Sequence, residues 1–568
     1  RSELWLDAAV AARVAAYAAA LGPTDANPGA GKEQLSAERR RFVDRALHQL
    51  RRRGALLGPH AADRLRRIDA ELTELGQQFV SAITASAPTL RVAPAALAGL
   101  PPSFRATHPP EPDGKVTLTT DYPDYFPVVT YAEDRQLARQ LYVAFVNRGG
   151  KPNLARLERL LHLRYEKAQL LGYPSWADYV LEDRLVGSVS KATAFLRRTR
   201  AVIRPLAEVE LERFQGELDR LGLPRGVGLS PPDRYFLAER IRRRAHGFDS
   251  TELAEYFDVR RVTQGLLELG GALFGLQFRP VAVPTWHADV AVYDVLSGDA
   301  PHGRIYLDLH SRAHKYKHAA MFPIRSRRRL PSGALQSPQA ALLCNFPRPG
   351  EPMPHSQVVT YFHEFGHLLH HLLTETELTF FGGTNTVRDF VEVPSQVFEQ
   401  WAYSFGVLQS MTRHRRTGRP IDRDLFDRLS RARRVGLALG TERQLYLAEL
   451  DLAYHARRPG FDTTELLRAT RLRWSSFEFV EGTHFQSSFG HLIGYDASYY
   501  AYPYAQALAW DAFSRFERAG LSDPATARAW RTEVLARGGS ADETALLAAF
   551  VGRAPNARAY HRFLRGEP

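Results

Sequence analysis

The stretch "TYFHEFGHLLHHLLTET", Thr360 to Thr376, sets two histidines and a glutamate inside an otherwise apolar, helix-patterned run. His363 and His367 are four residues apart, which on an α-helix is one turn along and about 40° around, so both imidazoles face one point. Glu364, about 100° around from His363, reaches past them toward a water on an ion held there. A single rigid element thus delivers two neutral nitrogen ligands and a general base. Gly366 leaves room for another segment to come close.

Such a pentapeptide arises by chance in roughly one chain in twenty to thirty. The alternative for these five residues is a partly buried amphipathic helix whose histidines bond carbonyls. Catalytic zinc also needs a third protein ligand and an open position for water. "TVRDFVEVPSQVFEQWAYSF", from Thr386, offers Asp389, Glu392 and Glu399 in an apolar helical frame. Glu392 follows His367 by 25 residues, enough for a loop and a returning helix. The glycine pair of "FFGGTNT" supplies the turn, and Pro394 limits helical regularity near Glu392. Asp389 and Glu399 read as surface or supporting carboxylates rather than ligands. His370 and His371 fall off the ligand face, in core or surface roles.

The rest of the chain sets bounds on this reading. Its 568 residues, 44% hydrophobic and 24% charged, suit a globular protein with two or more cores or one large helical body. The nearest approach to an apolar span, Ala8 to Leu21, is broken by Arg13 and reads as a soluble helix, so no membrane partner is expected. The single cysteine, Cys344, excludes an intramolecular disulfide and any multi-thiolate zinc site. It favours a reducing, cytoplasmic setting.

The net charge of +13 comes mostly from arginine, in runs such as Arg51-Arg52-Arg53 and Arg327-Arg328-Arg329. Without RNP-like aromatics or zinc-finger spacing, these read as solvated faces, and nucleic acid is not the expected partner. "TDANPGAGKE", Thr24 to Glu33, is no phosphate loop, because Ala26 and Glu33 stand where glycine and Ser or Thr belong.

Helical periodicity runs from Glu33 to about Ala85, with Phe42, Ala46 and Leu50 on one face. An irregular, proline-rich segment from Pro101 to Pro127 follows, containing a short strand at "VTLTT". Helices return from Asp134 to about Leu273. "ADVAVYDVL", "GRIYLDLH" and "AALLCNFP" then read as strands of a small sheet just before the histidine helix.

With the motifs in view, the chain closely resembles the thimet oligopeptidase and neurolysin family of zinc oligopeptidases, which also includes bacterial oligopeptidase A and dipeptidyl carboxypeptidase. "TYFHEFGHLLH" and "FGGTNTVRDFVEVPSQVFEQW" carry the resemblance, and "DYPDYFPVV", "KAQLLGYPSWADYVLE", "WHADVAVYDV", "GRIYLDLHSRAHKYKHAA" and "RGGSADETALLAAFVGRAP" extend it in family order from about residue 35. It implies one Zn2+ ion on His363, His367 and Glu392, with Glu364 as catalytic base. It also implies a mainly α fold in which two helical lobes flank a deep substrate channel, with a small β-sheet near the active site. Residues 1–134 would form an N-terminal helical region and 135–568 the metallopeptidase catalytic region. The implied activity is that of a zinc metalloendopeptidase of the EC 3.4.24 class, a monomer that hydrolyses internal bonds of short peptides.

"HFQSSFGHLIGYDASYYAYPYAQALAW" is dense in Tyr and His. On spacing alone His491, Tyr495, Tyr499 and Tyr502 converge if the segment is helical or enters a helix, although tyrosine clusters more often serve packing. The resemblance implies that Tyr495 and Tyr499 touch the substrate and that His491 and Tyr502 stabilise the tetrahedral intermediate. The family usually has two glycines before the first of these tyrosines, whereas "HLIGYDA" has only Gly494. The shorter loop implies a substrate preference or rate different from that of relatives. Two rival readings are a zinc-binding peptide receptor that has lost turnover and a basic scaffold for nucleic acid.

Overall fold

The computed structural model describes residues 7–21, 35–223, 229–312, 315, 316 and 318–567. The Thr24 to Glu33 loop lies outside them. The described chain is mainly α-helical with one small mixed sheet.

The early helices follow the apolar periodicity of the sequence. Helix α1 (Pro59–Ala85) buries Leu65, Ile68 and Phe79 and packs on α2 (Gly150–Leu170). Helix α3 (Val189–Arg220) begins where the Ser188 side chain accepts from the Lys191 amide, meeting one of the donors a helix start leaves unpaired.

Strands β1 (Leu276–Pro280), β2 (Ala291–Ser297), β3 (Ala300–His310), β4 (Ala320–Arg325) and β5 (Gln339–Phe346) form a sheet in the order β1-β2-β3-β5-β4. Only the β3–β5 pair is parallel. The near-continuous apolar run of β5 fits its inner position: Ala340, Leu342 and Cys344 are fully buried. The edge strand β4 pairs Met321 with Leu342.

After β5 comes α4 (His355–Leu373), which packs on β5 and β4 and presents Phe362, Phe365, Leu368, Leu369 and Leu372 to the main core. Helix α5 (Arg388–Phe398) returns across α4, helix α6 (Leu437–His455) packs on α3, and helix α7 (Ala501–Ala519) packs on α5. Smaller apolar clusters lie outside this core, one gathering Leu97, Leu118, Tyr125, Leu141 and Val146 with Val480, another Phe214 and Leu237 with Leu439.

The expected strand at "VTLTT" is Val116–Thr119, paired antiparallel with Thr89–Val92, a partner the local pattern did not announce. The segment read as irregular up to Pro127 is helical from Tyr122 to Tyr131. Its first proline falls in the opening turn, where the missing N–H is not needed, and Tyr125, Val128 and Val129 are buried. Among the described residues no helix is long and apolar enough to cross a membrane.

Candidate metal centre and active site

Helix α4 holds its histidines on the side where α5 crosses. His363 Nε2 and His367 Nε2 each lie 3.2 Å from Glu392 Oε2, and the three ligand atoms fall within 4.8 Å of one another. Ligands on a tetrahedral zinc ion with bonds of about 2.0–2.2 Å are about 3.3 Å apart, so both His-to-Glu392 spacings match that ion, and the donor set fits it in number and chemistry. Closeness of the two helices makes this possible: a Cβ on Gly366 would meet Ser395 Cα at 2.6 Å.

Each candidate ligand is held from behind to a different degree. His363 Nδ1 lies 2.6 Å from Glu399 Oε1, which orients the ring and raises its basicity. Burial disfavours the His363 imidazolium, but Glu392 and Glu399 together outweigh it and lift its pKa well above the ordinary value. Burial likewise works against the Glu392 carboxylate, and the bonds from His363 and His367 overcome it to hold its pKa below the usual range. His367 Nδ1 is buried without a hydrogen-bond partner among the described residues.

Glu364 is 8% exposed, and its Oε2 accepts a hydrogen bond from the Met321 amide of β4 at 2.9 Å. Asp389 is no surface group. Fully buried, it accepts from the amides of Leu185 and Val186 and from the Tyr500 hydroxyl, tying α5 to two other segments. His370 and His371 are buried, and His371 Nε2 lies 3.1 Å from the Arg325 carbonyl.

The C-terminal cluster converges although its loop is not one continuous helix. A short 3-10 turn spans Gly490–Leu492, turns follow, and α7 begins at Ala501. His491 meets the rings of Tyr499 at 5.1 Å and Tyr502 at 6.0 Å, and Tyr495 stacks on Tyr502 at 5.3 Å. Tyr495 reaches the candidate ligand itself, its hydroxyl 3.5 Å from Glu392 Oε1. Tyr499 is 6% exposed and donates its hydroxyl to Gln444 Oε1 at 3.0 Å.

Burial raises the pKa of Tyr495 and Tyr502, and the Glu392 charge pushes both further, so both hydroxyls remain protonated donors. Burial, helped by Arg443 and His318 against Asp451, lowers the His491 pKa and leaves the ring neutral.

The loop is pinned by groups that sequence reasoning missed. Asp451 of α6 accepts from the Ala497 and Tyr499 amides, both at 2.9 Å. Ala497, at φ +54°, is the one non-glycine residue with positive φ among the described residues, a strained conformation that those bonds hold. At the shortened glycine site, Gly494 takes φ +87°, and Arg388 donates to its carbonyl while lying 4.3 Å over the Tyr495 ring. The acid between two leucines in "AELDLAY" was the available signal for Asp451, but its target could not be read from it.

An HExxH helix crossed by a second helix that brings a carboxylate defines a metallopeptidase-type centre. The model of "Peptidase family M3" matches residues 128–565. The chain is 31% identical to Oligopeptidase A of Haemophilus influenzae over 548 residues, covering 92% of this chain and 80% of that protein. It is 32% identical to Oligopeptidase A of Escherichia coli K12, with the same coverage. Among solved structures it is similar to PZ peptidase A with an inhibitor, at TM-score 0.55 and 13% identity over all of this chain and 85% of that one. It is also similar to the M32 carboxypeptidase of Deinococcus radiodurans R1, at TM-score 0.56 and 14% identity over all of this chain and 88% of that one. The chain belongs to peptidase family M3.

Proposed function

We propose that this protein is a zinc-dependent oligopeptidase that hydrolyses internal bonds of short peptides. The observation that carries the reading is the approach of His363 Nε2 and His367 Nε2 to one Glu392 oxygen, 3.2 Å in each case, with Glu364 beside them. The names of the relatives agree with it.

His363, His367 and Glu392 would hold the ion. Zinc, when bound, polarises the scissile carbonyl and brings the pKa of a water toward neutrality. Glu364 takes that water's proton and returns it to the leaving amine, a contribution of about 10² to 10⁴-fold. The Met321 amide occupies one oxygen of Glu364 and leaves the other for the water. Tyr502 and His491 donate to the developing oxyanion, and such a donor is worth about 3 to 4 kcal/mol when pre-aimed. Tyr495 borders the substrate beside Glu392, and Tyr499 is the ring against which His491 and Tyr502 rest.

Two helical lobes flanking a channel would restrict substrates to short peptides, and a monomer in the cytoplasm suits one buried cysteine. The EC 3.4.24 class follows from internal cleavage. The test is a quenched fluorescent peptide assayed with zinc, with a chelator, and with the Glu364→Gln protein, products being mapped by mass. Cleavage that a chelator abolishes, and a Glu364→Gln protein that binds zinc but does not turn over, are expected. Near-normal turnover in that variant removes Glu364 from the mechanism, and zinc uptake without any hydrolysis by the unaltered chain favours the receptor reading.

A further inference from the structure

We propose that Arg164, His455 and Asp451 act as one positioning unit that sets the loop of residues 491–499 for catalysis; the inference rests on the peptidase reading above. All three side chains are buried, Arg164 on α2 and Asp451 and His455 one turn apart at the end of α6. Arg164 Nη1 donates to His455 Nε2 at 2.9 Å, and His455 Nδ1 lies 3.0 Å from Asp451 Oδ1. A guanidinium can only donate, so Nε2 serves as the acceptor and the ring proton sits on Nδ1, facing Asp451.

The two ends of this chain grip the loop on either side of Tyr495. Arg164 Nη2 donates to the Leu492 carbonyl at 2.7 Å, directly after His491. Asp451 takes the Ala497 and Tyr499 amides, both at 2.9 Å. Between these points Asp496 Oδ1 accepts from the Gly494 amide at 3.1 Å and lies 3.5 Å from Arg164 Nη2, while its Oδ2 accepts from the Trp176 indole at 2.7 Å. Main chain is thus fixed at Leu492, Gly494, Ala497 and Tyr499, and Tyr495 projects from the fixed stretch with its hydroxyl 3.5 Å from Glu392 Oε1.

His455 is the informative member, because its hydrogen bonds among the described residues go to Arg164 and Asp451 and none goes to the loop. Arg164 and Asp451 form no direct ion pair among the described residues. The imidazole joins them, accepting from one and donating to the other. An apolar side chain at 455 leaves a buried donor and a buried carboxylate short of a partner, and those are the two groups that hold the loop. A glutamine can replace the ring, since its amide offers an acceptor and a donor at once. Loss of His455 should therefore loosen a loop it does not touch, and Gln should restore it.

The test compares the wild type with His455→Leu, His455→Gln, Arg164→Lys and the Arg164→Lys/His455→Leu double variant. Hydrogen exchange followed by mass spectrometry reads the loop directly, and kcat, KM and zinc occupancy are measured on the same proteins. In His455→Leu the amides of residues 492–499 should exchange about tenfold faster or more, with the α4 amides unchanged. Turnover should fall about tenfold or more, mainly in kcat, because His491 and Tyr502 serve the oxyanion, and zinc occupancy should stay full. His455→Gln should recover most of both effects. The double variant should lose no more than the worse single variant, as expected of residues that work as a unit.

Loop exchange in His455→Leu equal to wild type overturns the proposal. So does acceleration spread evenly over the chain, which marks a general structural role, or a Gln variant as impaired as the Leu variant. Losses that multiply in the double variant make the residues independent and overturn the unit. If the unaltered chain hydrolyses no peptide, the peptidase reading fails instead, and the exchange data still decide whether these residues hold the loop.

Discussion

A Cβ added to Gly366 would lie 2.6 Å from Ser395 Cα and 3.2 Å from Phe398 Cβ, so α4 and α5 touch backbone to backbone at the turn that separates His363 from His367. The neighbour it meets is main chain, which cannot swing aside. Gly366→Ala should therefore push α5 outward, carrying Glu392 with it. Overpacking of this kind costs about 1–3 kcal/mol. Urea unfolding together with zinc titration checks this; an Ala variant with unchanged stability and zinc affinity would mean the helices have slack.

The 2.6 Å contact from His363 Nδ1 to Glu399 Oε1 predicts that Glu399 governs zinc affinity without touching the ion. Glu399→Ala should weaken zinc binding about 10- to 100-fold, and Glu399→Gln less, because the amide oxygen can still accept. Competition against a chromophoric chelator measures both. Equal affinity in all three proteins would reduce Glu399 to a bystander.

Asp451 holds the loop rather than the metal. Asp451→Ala leaves the Ala497 and Tyr499 amides without their acceptor, and two lost bonds to a buried charged group cost about 2–5 kcal/mol. The expected signature is a fall in kcat/KM of tenfold or more at full zinc occupancy, with Asn partly restoring it. A variant that loses zinc in parallel with activity would point to general unfolding instead.

Stability should decline on mild acidification through His370. The ring is fully buried, neither nitrogen has a hydrogen-bond partner among the described residues, and burial, helped by His367 and His371, pushes its pKa down to about 3. The unfolded chain protonates near 6.5 while the folded one does not, so this contribution is complete above pH 6.5 and is lost as pH falls from there toward 3. At pH 5 the loss is about 2 kcal/mol. Denaturant unfolding of chelator-treated protein at pH 7 and pH 5 tests it, the His370→Leu variant losing that much less between the two. The same pH 7 to pH 5 loss in wild type and variant contradicts the assignment.

Much of the candidate centre was legible because it depends on periodicity. Four-residue spacing on a helix forces His363 and His367 together whatever surrounds them, and an apolar frame around Asp389 and Glu392 marks a buried helix carrying acids. The strands Ala291–Ser297, Ala300–His310 and Gln339–Phe346 were likewise visible as short apolar runs, whereas Leu276–Pro280 and Ala320–Arg325 were not. The Tyr122–Tyr131 helix was hidden because its prolines imitate a loop, and the Thr89–Val92 partner because pairing register has no local signature.

What the sequence alone determined is the inventory: two imidazoles and a base on one helix, a carboxylate 25 residues on, and a tyrosine-rich segment near the C-terminus. Tertiary structure decided which groups serve them. Met321 acts through a backbone amide that any residue could supply, and Asp451 reaches amides 46 and 48 residues away. Local patterns follow from backbone geometry within one helix or strand, whereas such contacts depend on where distant segments are packed.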